Sequence, residues 1–219
     1  MSRGQYVVQN DEWNSSATQC ISTDGNDDFT VTQSAINNSG GSPGGYPSIY
    51  KGCHWGNCTQ NSGLPVQVSA LKNVTSDWST KQPQSGAYDV AYDIWYNSKP
   101  TTSGSPDGAE LMVWLNSRGA VQPAGSIIAK NVSIGGTVYN VWYDKMNWNY
   151  IAYQRVSGTT SVKGLDIRAI TQDAVKRGYI QPAWYLADIE AGFELWQGGA
   201  NLATTSFNVT VGATPARSS

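Results

Sequence analysis

The segment Glu110–Asn116 constrains the fold more than any other stretch, because its side chains alternate strictly between two kinds. One set is aliphatic and suits a buried core: Leu111, Val113 and Leu115. The other set consists of Glu110, Met112, Trp114 and Asn116. A helix does not collect either set on one side, whereas a strand places successive residues on opposite faces. The segment is therefore predicted to be a half-buried strand, and its second face carries the side chains of a binding surface.

Two longer segments alternate in the same way, at 87–96 and 185–197. The first puts Asp93 on its polar face, and the second puts Glu194 and Trp196 there. Turn residues at 99–108 connect the first segment to the strand of Glu110, so the two strands are expected to form an antiparallel hairpin with Asp93 near Glu110. Shorter alternating segments predict further strands at 5–9, 29–33, 127–134, 137–144, 148–156 and 205–211. The residues around 46–58 are aromatic without regular alternation and are expected to form an ordered loop.

Only residues 165–178 show helical spacing of apolar residues, and Gly178 provides a stop signal. Many short strands and one helix predict an all-β fold, an antiparallel two-sheet sandwich of concanavalin-like jelly-roll type with a curved substrate cleft. We expect one domain over residues 1–213 and a polar tail at 214–219.

The charge balance excludes several classes of partner. Fourteen basic and sixteen acidic residues give a net charge of −2, without the basic patch that nucleic-acid binding requires. No apolar run approaches the about 20 residues of a membrane-spanning helix. Because only 14% of the residues are charged and 11% are aromatic, the surface must be largely uncharged and polar, which suits a carbohydrate ligand.

The cysteines indicate an oxidising compartment. Cys53 and Cys58 flank a four-residue loop that a disulfide could close. The spacing of three cysteines and one histidine fits no recognisable zinc site, so no metal is predicted. Cys20 is left over, either as a small buried side chain or as half of a disulfide whose partner lay upstream. Because a strand-like segment follows Met1 almost at once, we expect a mature, secreted extracellular domain from which the signal peptide is absent.

Two outward carboxylates, Glu110 and Glu194, each share a strand face with a tryptophan. A pair of carboxylates across a sugar-binding groove is typical of the catalytic groups of a glycosidase. Two other interpretations remain open on the alternation alone. An outward glutamate on an antiparallel strand is often simply solvated, and a lectin would use the aromatic face without needing two acids.

Four segments resemble motifs of glycoside hydrolase family 12, the jelly-roll endo-β-1,4-glucanases. They are ELMVW from Glu110, GFELWQGG from Gly192, YDIW from Tyr92 and YPSIYKGCHWGNC from Tyr46. The resemblance runs from about Gly4 to Val211, with all four motifs in the family's order. It implies a retaining cellulase that uses no cofactor and acts as a monomer on β-1,4-linked glucan.

The resemblance also implies roles for individual residues. Glu110 corresponds to the nucleophile, Glu194 to the acid/base, and Asp93 to a carboxylic acid that hydrogen-bonds the nucleophile. Trp13 corresponds to a tryptophan that stacks on a sugar in a minus subsite, with Asn10 nearby.

Further cleft candidates come from their positions in the sequence. Met112 follows Glu110 on its own face, where the family places it against the reacting sugar, although a gap-filling role is equally compatible. His54 is either a structural hydrogen-bonding residue or a substrate contact. Trp114, Trp196 and Trp148 are expected to line the cleft. Glu190 and Asp89 lie four residues from Glu194 and Asp93, about 13 Å along an extended strand, and are expected at the cleft rim or in solvent.

The expected function is therefore a secreted endo-β-1,4-glucanase that cleaves cellulose-like and mixed-linkage β-glucans by a retaining double displacement. A xyloglucan-specific endoglucanase or a xylanase on the same fold, or a non-catalytic carbohydrate-binding protein, are the alternatives. Cys20 departs from the family pattern, because its partner near the N-terminus in bacterial members is missing here.

Overall fold

The computed structural model describes residues 2–25, 27–38 and 41–213, and these form two stacked β-sheets and one helix. The strands are β1 (Ser2–Arg3), β2 (Tyr6–Gln9), β3 (Gln19–Ser22), β4 (Phe29–Ser34), β5 (Ser48–His54), β6 (Asn57–Cys58), β7 (Val66–Gln67), β8 (Leu71–Lys81), β9 (Ala87–Asn97), β10 (Ala109–Arg118), β11 (Ser126–Ile134), β12 (Thr137–Lys145), β13 (Asn149–Arg155), β14 (Ser161–Asp166), β15 (Tyr185–Gly192), β16 (Leu195–Gln197) and β17 (Ala203–Ala213). The helix α1 spans Ile167–Lys176, and a 3-10 turn covers Val68–Ala70. The predicted tail at 214–219 lies outside the described residues, and the domain boundaries stay a prediction.

The sheets confirm the predicted all-β sandwich. The larger sheet has the strand order β1-β2-β5-β15-β9-β10-β13-β12-β11, and the smaller sheet has the order β14-β8-β17-β4-β3. One pair differs from the antiparallel expectation, because β10 and β13 run parallel, with Glu110 beside Tyr150. The chain leaves β10, forms the β11–β12 hairpin at the sheet edge and returns in β13, which inserts between β12 and β10.

The register of three central strands sets the positions of the acidic side chains. The predicted hairpin of β9 and β10 is confirmed, and it places Asp93 opposite Met112 and Glu110 opposite Trp95. On the other side of β9, strand β15 places Glu190 opposite Asp93. Since residues opposite each other in a sheet point to the same face, these acids share one face of the large sheet.

Each face of the large sheet buries its own apolar cluster. The face toward the smaller sheet forms the main core, where Trp78 and Tyr92 meet edge to face at 5.0 Å and both are fully buried. The opposite, concave face carries a smaller cluster built on Met112, Trp114 and Trp196. Burying one such side chain contributes about 1.5 to 3 kcal/mol, so the second cluster makes the floor of the concave face a packed surface.

The predicted helix is confirmed with shifted ends. Leu165 and Asp166 belong to β14, where they pair with β8, so the helix begins at Ile167 rather than at 165. The Asp166 side chain accepts a hydrogen bond from the backbone N–H of Ala169 at 2.8 Å, which caps the first turn. The helix docks on the large sheet through Thr171, whose hydroxyl lies 2.7 Å from that of Tyr96. Within the described ranges, no helix has both the length and the apolarity to cross a membrane.

Strands β5 and β8 were not expected from the sequence. Residues 48–54 were predicted to be loop, but β5 lies between β2 and β15 and has Ser48, Ile49 and Tyr50 fully buried. A strand buried on both faces shows no polar alternation, which is why the pattern failed there.

The three cysteines differ in whether they form a disulfide. Cys53 and Cys58 form a disulfide, as the sequence indicated. Cys20 is exposed and free, so the expectation of a small buried side chain is wrong. It lies on β3 opposite Gln33, at the outer edge of the smaller sheet.

We expect one reactive thiol per chain when the denatured, unreduced protein is titrated with a thiol reagent, because only Cys20 is outside the disulfide. Reduction before the titration should raise the number to three. Three thiols without reduction would contradict the pairing of Cys53 with Cys58.

Candidate active site

A cleft with a volume of about 1340 Å³ crosses the concave face of the large sheet. It extends from Asp11 and Trp13 beyond β2 to Trp148 before β13, and the loop at 119–125 lines part of it. Pockets for drug-sized ligands are about 300 to 1000 Å³. The cleft is therefore large enough for an extended ligand that lies across several strands.

Glu110 lies in the floor of this cleft on β10. Its Oε2 atom accepts a hydrogen bond of 2.7 Å from the indole N–H of Trp148. Burial, followed by the negative charge of Glu194, raises the pKa of Glu110 to about 8, while the hydrogen bond from Trp148 lowers it. The indole thus stabilises the ionised form of a carboxyl group that its surroundings otherwise hold protonated.

Glu194 also lines the cleft, but it does not lie on a continuous strand. The alternation predicted one strand over 185–197, whereas β15 ends at Gly192 and β16 begins at Leu195. The register against β9 continues across the break, because Gly192 pairs with Ala91 and Leu195 with Tyr88. Glu194 therefore reaches the cleft beside the start of β9.

Asp89 is the main partner of Glu194, and its predicted position at the rim or in solvent is wrong. The Asp89 side chain is fully buried, and Glu194 lies directly opposite it because the register between Gly192–Ala91 and Leu195–Tyr88 is continuous. Its Oδ1 atom accepts the backbone N–H of Glu194 at 3.0 Å, and its own N–H donates to the Glu194 carbonyl oxygen at 3.1 Å. The alternation places residues 89, 91 and 93 on one strand face, and this pattern could have indicated that Asp89 shares the face of Asp93.

The two carboxyl groups of this pair share a proton. Burial raises the pKa of Glu194 well above its ordinary range, and the charge and hydrogen bond of Asp89 raise it further. Burial also raises the pKa of Asp89, to about 7, while the hydrogen bond from Glu194 lowers it. Glu194 therefore holds the proton and donates it in a hydrogen bond to the Asp89 carboxylate.

Asp93 lies diagonally across from Glu110 on the same face and is 8% exposed. Its Oδ2 atom accepts a 2.9 Å hydrogen bond from the Trp95 indole, while Oδ1 is buried without a partner. Burial, followed by the charge of Glu110, raises the pKa of Asp93 well above its ordinary range. Asp93 is therefore favoured as a neutral acid near Glu110. The hydrogen bond to the Glu110 carboxylate comes from Trp148, and the role that the resemblance implied for Asp93 stays a prediction.

Glu190 is fully buried, so its predicted position at the rim or in solvent is also wrong. The cause is that β15 lies between β5 and β9, which places Glu190 opposite both Tyr50 and Asp93. Sequence distance from Glu194 along one strand could not reveal these neighbours.

His54 completes a second group of polar residues at the β5 side of the cleft. Its Nδ1 atom contacts Glu190 Oε1 and lies 3.6 Å from Asp188 Oδ2. Burial alone would lower the pKa of His54, but the charge of Glu190 and hydrogen bonds to Asp188 and Glu190 raise it to about 11. The imidazole is thus held between two carboxyl groups and also lines the cleft.

The tryptophans divide into exposed and buried members. Trp13 and Trp55 line the cleft with 54% and 44% of their surfaces exposed, so both present ring faces to a ligand. Trp55 was not predicted as a site residue. Trp114 and Trp196 are only 1% and 7% exposed, and they pack against each other in the floor. These two candidates therefore support the cleft surface and leave little ring area for stacking.

The side chains of two other candidates make contacts within the protein. Met112 is 2% exposed and accepts contacts to its sulfur from the Trp114 indole at 3.4 Å and the Tyr150 hydroxyl at 3.3 Å. Asn10 is not among the residues that line the cleft. Its amide donates to the carbonyl oxygen of Gln19 at 2.9 Å, which fastens the loop that carries Trp13.

Replacing Asp89 by Asn should lower the pKa of Glu194 by about one unit or more, because the substitution removes a negative charge in direct contact. The amide oxygen can still accept the Glu194 N–H, so the backbone should stay in place. The pKa is measurable by carbon-13 NMR of protein labelled in its four glutamates. Asp144→Asn, on β12 outside the cleft lining, is the control. An unchanged Glu194 pKa in Asp89→Asn would contradict the shared proton.

Comparisons with known proteins identify the family of this chain. Residues 4–212 match the family described as Glycosyl hydrolase family 12. The chain is 36% identical to Endoglucanase S of Pectobacterium parmentieri over 76% of this chain and 65% of the relative, so it spans about two thirds of that protein. A metagenome-derived family 12 endoglucanase superimposes with a TM-score of 0.94 at 43% identity, covering 96% and 92% of the two chains. The endoglucanase cel12A from Rhodothermus marinus gives 0.93 at 45% identity, covering 96% and 93%. The chain belongs to glycosyl hydrolase family 12.

Proposed function

We propose that this glycoside hydrolase is a secreted endo-β-1,4-glucanase that cleaves internal bonds of cellulose-like and mixed-linkage β-glucans with net retention. One observation carries the proposal: two cleft glutamates have separate partners that favour opposite protonation states. Trp148 stabilises the Glu110 anion, and Asp89 holds the proton on Glu194. A glycosidase needs one ionised and one protonated carboxyl group at the same bond.

Glu110 is the nucleophile in this proposal. Its pKa, about 8, is raised less than that of Glu194, so Glu110 loses its proton first. Oε1 attacks the anomeric carbon while Oε2 keeps the hydrogen bond from Trp148 and becomes the carbonyl oxygen of the glycosyl ester. The neutral Asp93 adds no negative charge beside the ester, which favours its formation.

Glu194 is the acid/base. In the first step its proton moves to the glycosidic oxygen, which leaves with the bonding electrons as the bond to the anomeric carbon breaks. In the second step the Glu194 carboxylate accepts a proton from water as that water attacks the anomeric carbon. The bond from this carbon to Oε1 breaks, which releases the sugar and restores Glu110 as a carboxylate. A retaining reaction of this kind requires a separation of about 5 to 5.5 Å between the two carboxyl groups.

The length of the cleft supports cleavage at internal bonds of a glucan. It crosses the sheet from Trp13 to Trp148, and both Glu110 and Glu194 line it between these residues. Exposed indole faces at Trp13 and Trp55 suit the flat apolar faces of glucose rings. The disulfide between Cys53 and Cys58 supports an oxidising, extracellular location.

We expect rapid release of reducing ends from carboxymethylcellulose and mixed-linkage β-glucan, with a fall in viscosity that precedes most of the sugar release. Xyloglucan and xylan should be cleaved more slowly, and the measurement is a reducing-sugar assay on all four polymers. Faster cleavage of xyloglucan would overturn the substrate assignment in favour of a xyloglucan-specific enzyme. Binding without release from any polymer would overturn the enzyme assignment.

Replacing Glu110 by Ala should abolish hydrolysis of a dinitrophenyl β-cellobioside, and added azide should restore it with an α-glycosyl azide as the product. Replacing Glu194 by Ala should spare the first step, because this leaving group needs no acid, and azide should then give the β-glycosyl azide. Product configuration is measured by proton NMR. Asp144→Ala serves as the control and should behave as wild type. Exchange of the two azide products would reverse the assigned roles.

A further inference from the structure

We propose that His54, Asp188 and Glu190 bind a single divalent transition-metal cation of the zinc type at the β5 side of the cleft. Their candidate ligand atoms, one from each side chain, all lie within 4.8 Å of one another. One imidazole nitrogen and two carboxylate oxygens are a donor set that zinc accepts. The proposal does not depend on the hydrolytic roles of Glu110 and Glu194.

Two fully buried carboxyl groups that share one imidazole are the independent sign of a site for a cation. Asp188 and Glu190 are both fully buried, and no hydrogen bond of good geometry reaches either oxygen of Asp188 or Oε1 of Glu190. Apart from a backbone contact of Asp188 with Trp95, the compensation for these oxygens comes from one imidazole, since His54 Nδ1 faces both carboxyl groups. Two buried carboxylates beside one imidazolium leave an excess of negative charge, which a divalent cation coordinated by one atom of each residue would neutralise.

The spacing suits a tetrahedral cation. The 3.6 Å between His54 Nδ1 and Asp188 Oδ2 is close to the separation of about 3.4 Å for two zinc ligands with bonds of about 2.1 Å. The contact between His54 Nδ1 and Glu190 Oε1 is much shorter, so these two atoms must separate before both can coordinate one cation.

Surrounding residues hold the proposed ligands in place. Glu190 Oε2 accepts hydrogen bonds from the Gln9 amide at 3.1 Å and the Ser48 hydroxyl at 3.0 Å, which leaves Oε1 for the cation. The His54 ring packs on Trp55, with ring centres 4.1 Å apart. Such outer contacts fix ligand orientation in metal sites.

Gly52 makes room for the site. It lies opposite Asp188 in the β5–β15 ladder, and a Cβ atom there would lie 2.8 Å from the Asp188 Cβ. Its φ of +125° also disfavours any larger residue. The space occupied by the Asp188 carboxyl group therefore depends on a glycine at this position.

The site has an opening toward the cleft. His54 keeps 17% of its side chain exposed, and Asp11 lines the cleft close enough for Glu190 and His54 to influence its carboxyl group. Three protein ligands leave a fourth position for water or for Asp11. A cation here would link β5 to β15 beside Trp55 and stabilise that end of the cleft.

Untagged full-length protein freed of metal with a chelator should bind one zinc ion per chain in equilibrium dialysis. Zinc at a 100-fold excess over its Kd should raise the melting temperature by about 5 to 10 °C. Cobalt, substituted for zinc, should give visible absorption bands of a tetrahedral site with a nitrogen ligand. This spectrum is recorded on the wild type and does not depend on a variant folding.

Asp188→Asn should weaken zinc binding at least tenfold and remove the thermal shift, whereas the control Asp144→Asn should keep both. Absence of stoichiometric zinc binding and of the cobalt spectrum in the wild type would overturn the proposal and leave a protonated His54 as the neutralising group. Equal binding by Asp188→Asn and wild type would also overturn it. Neither result affects the hydrolysis tests, which use Glu110 and Glu194.

Discussion

Six carboxyl groups crowd the concave face of the large sheet, and the cost of burying so much negative charge is the constraint on which the site depends. They are Asp89, Asp93, Glu110, Asp188, Glu190 and Glu194. Adjacent buried carboxyl groups cannot all ionise, so protons and donors must be distributed among them. The hydrogen-bond donors differ. Glu110 and Asp93 each accept from an indole N–H, whereas Asp89 accepts from a protonated Glu194. That unequal distribution underlies the proposed division of roles between a nucleophile and an acid.

The aromatic residues give this arrangement its rigidity. Trp95 lies 5.1 Å from both Trp55 and Trp148 in edge-to-face contacts, so the indoles that serve Asp93 and Glu110 belong to one packed row. Beneath the row, Trp114 and Trp196 fill the floor. Indole side chains act here as hydrogen-bond donors and as packing, and the same residue type at Trp13 and Trp55 remains exposed for a ligand. Strands and packed rings thus position most of the carboxyl groups, while connecting segments contribute Glu194, Trp148 and the lining at 119–125.

The sequence predicted those features of the site that follow from local alternation and a single hairpin. Period two put Glu110 and Asp93 on the polar faces of neighbouring strands, and the β9–β10 register confirms that they are close. The four motifs identified the family, which the match over residues 4–212 confirms. Strand order is not encoded locally, however, so the position of β15 between β5 and β9 could not be predicted, nor could the burial of Glu190. Asp89 was misplaced for the same reason, because its burial depends on Glu194 lying opposite it on the neighbouring strand.

The most direct test of the paired roles of Glu110 and Glu194 is the configuration of the first product released by the wild-type enzyme. Two glutamates that act as nucleophile and acid/base produce two inversions at the anomeric carbon, and therefore net retention. Proton NMR of the early reaction with a soluble β-glucan should show the β-anomer of the new reducing end first, with the α-anomer growing only by mutarotation. Initial appearance of the α-anomer would mean a single displacement by water and would contradict Glu110 as the nucleophile.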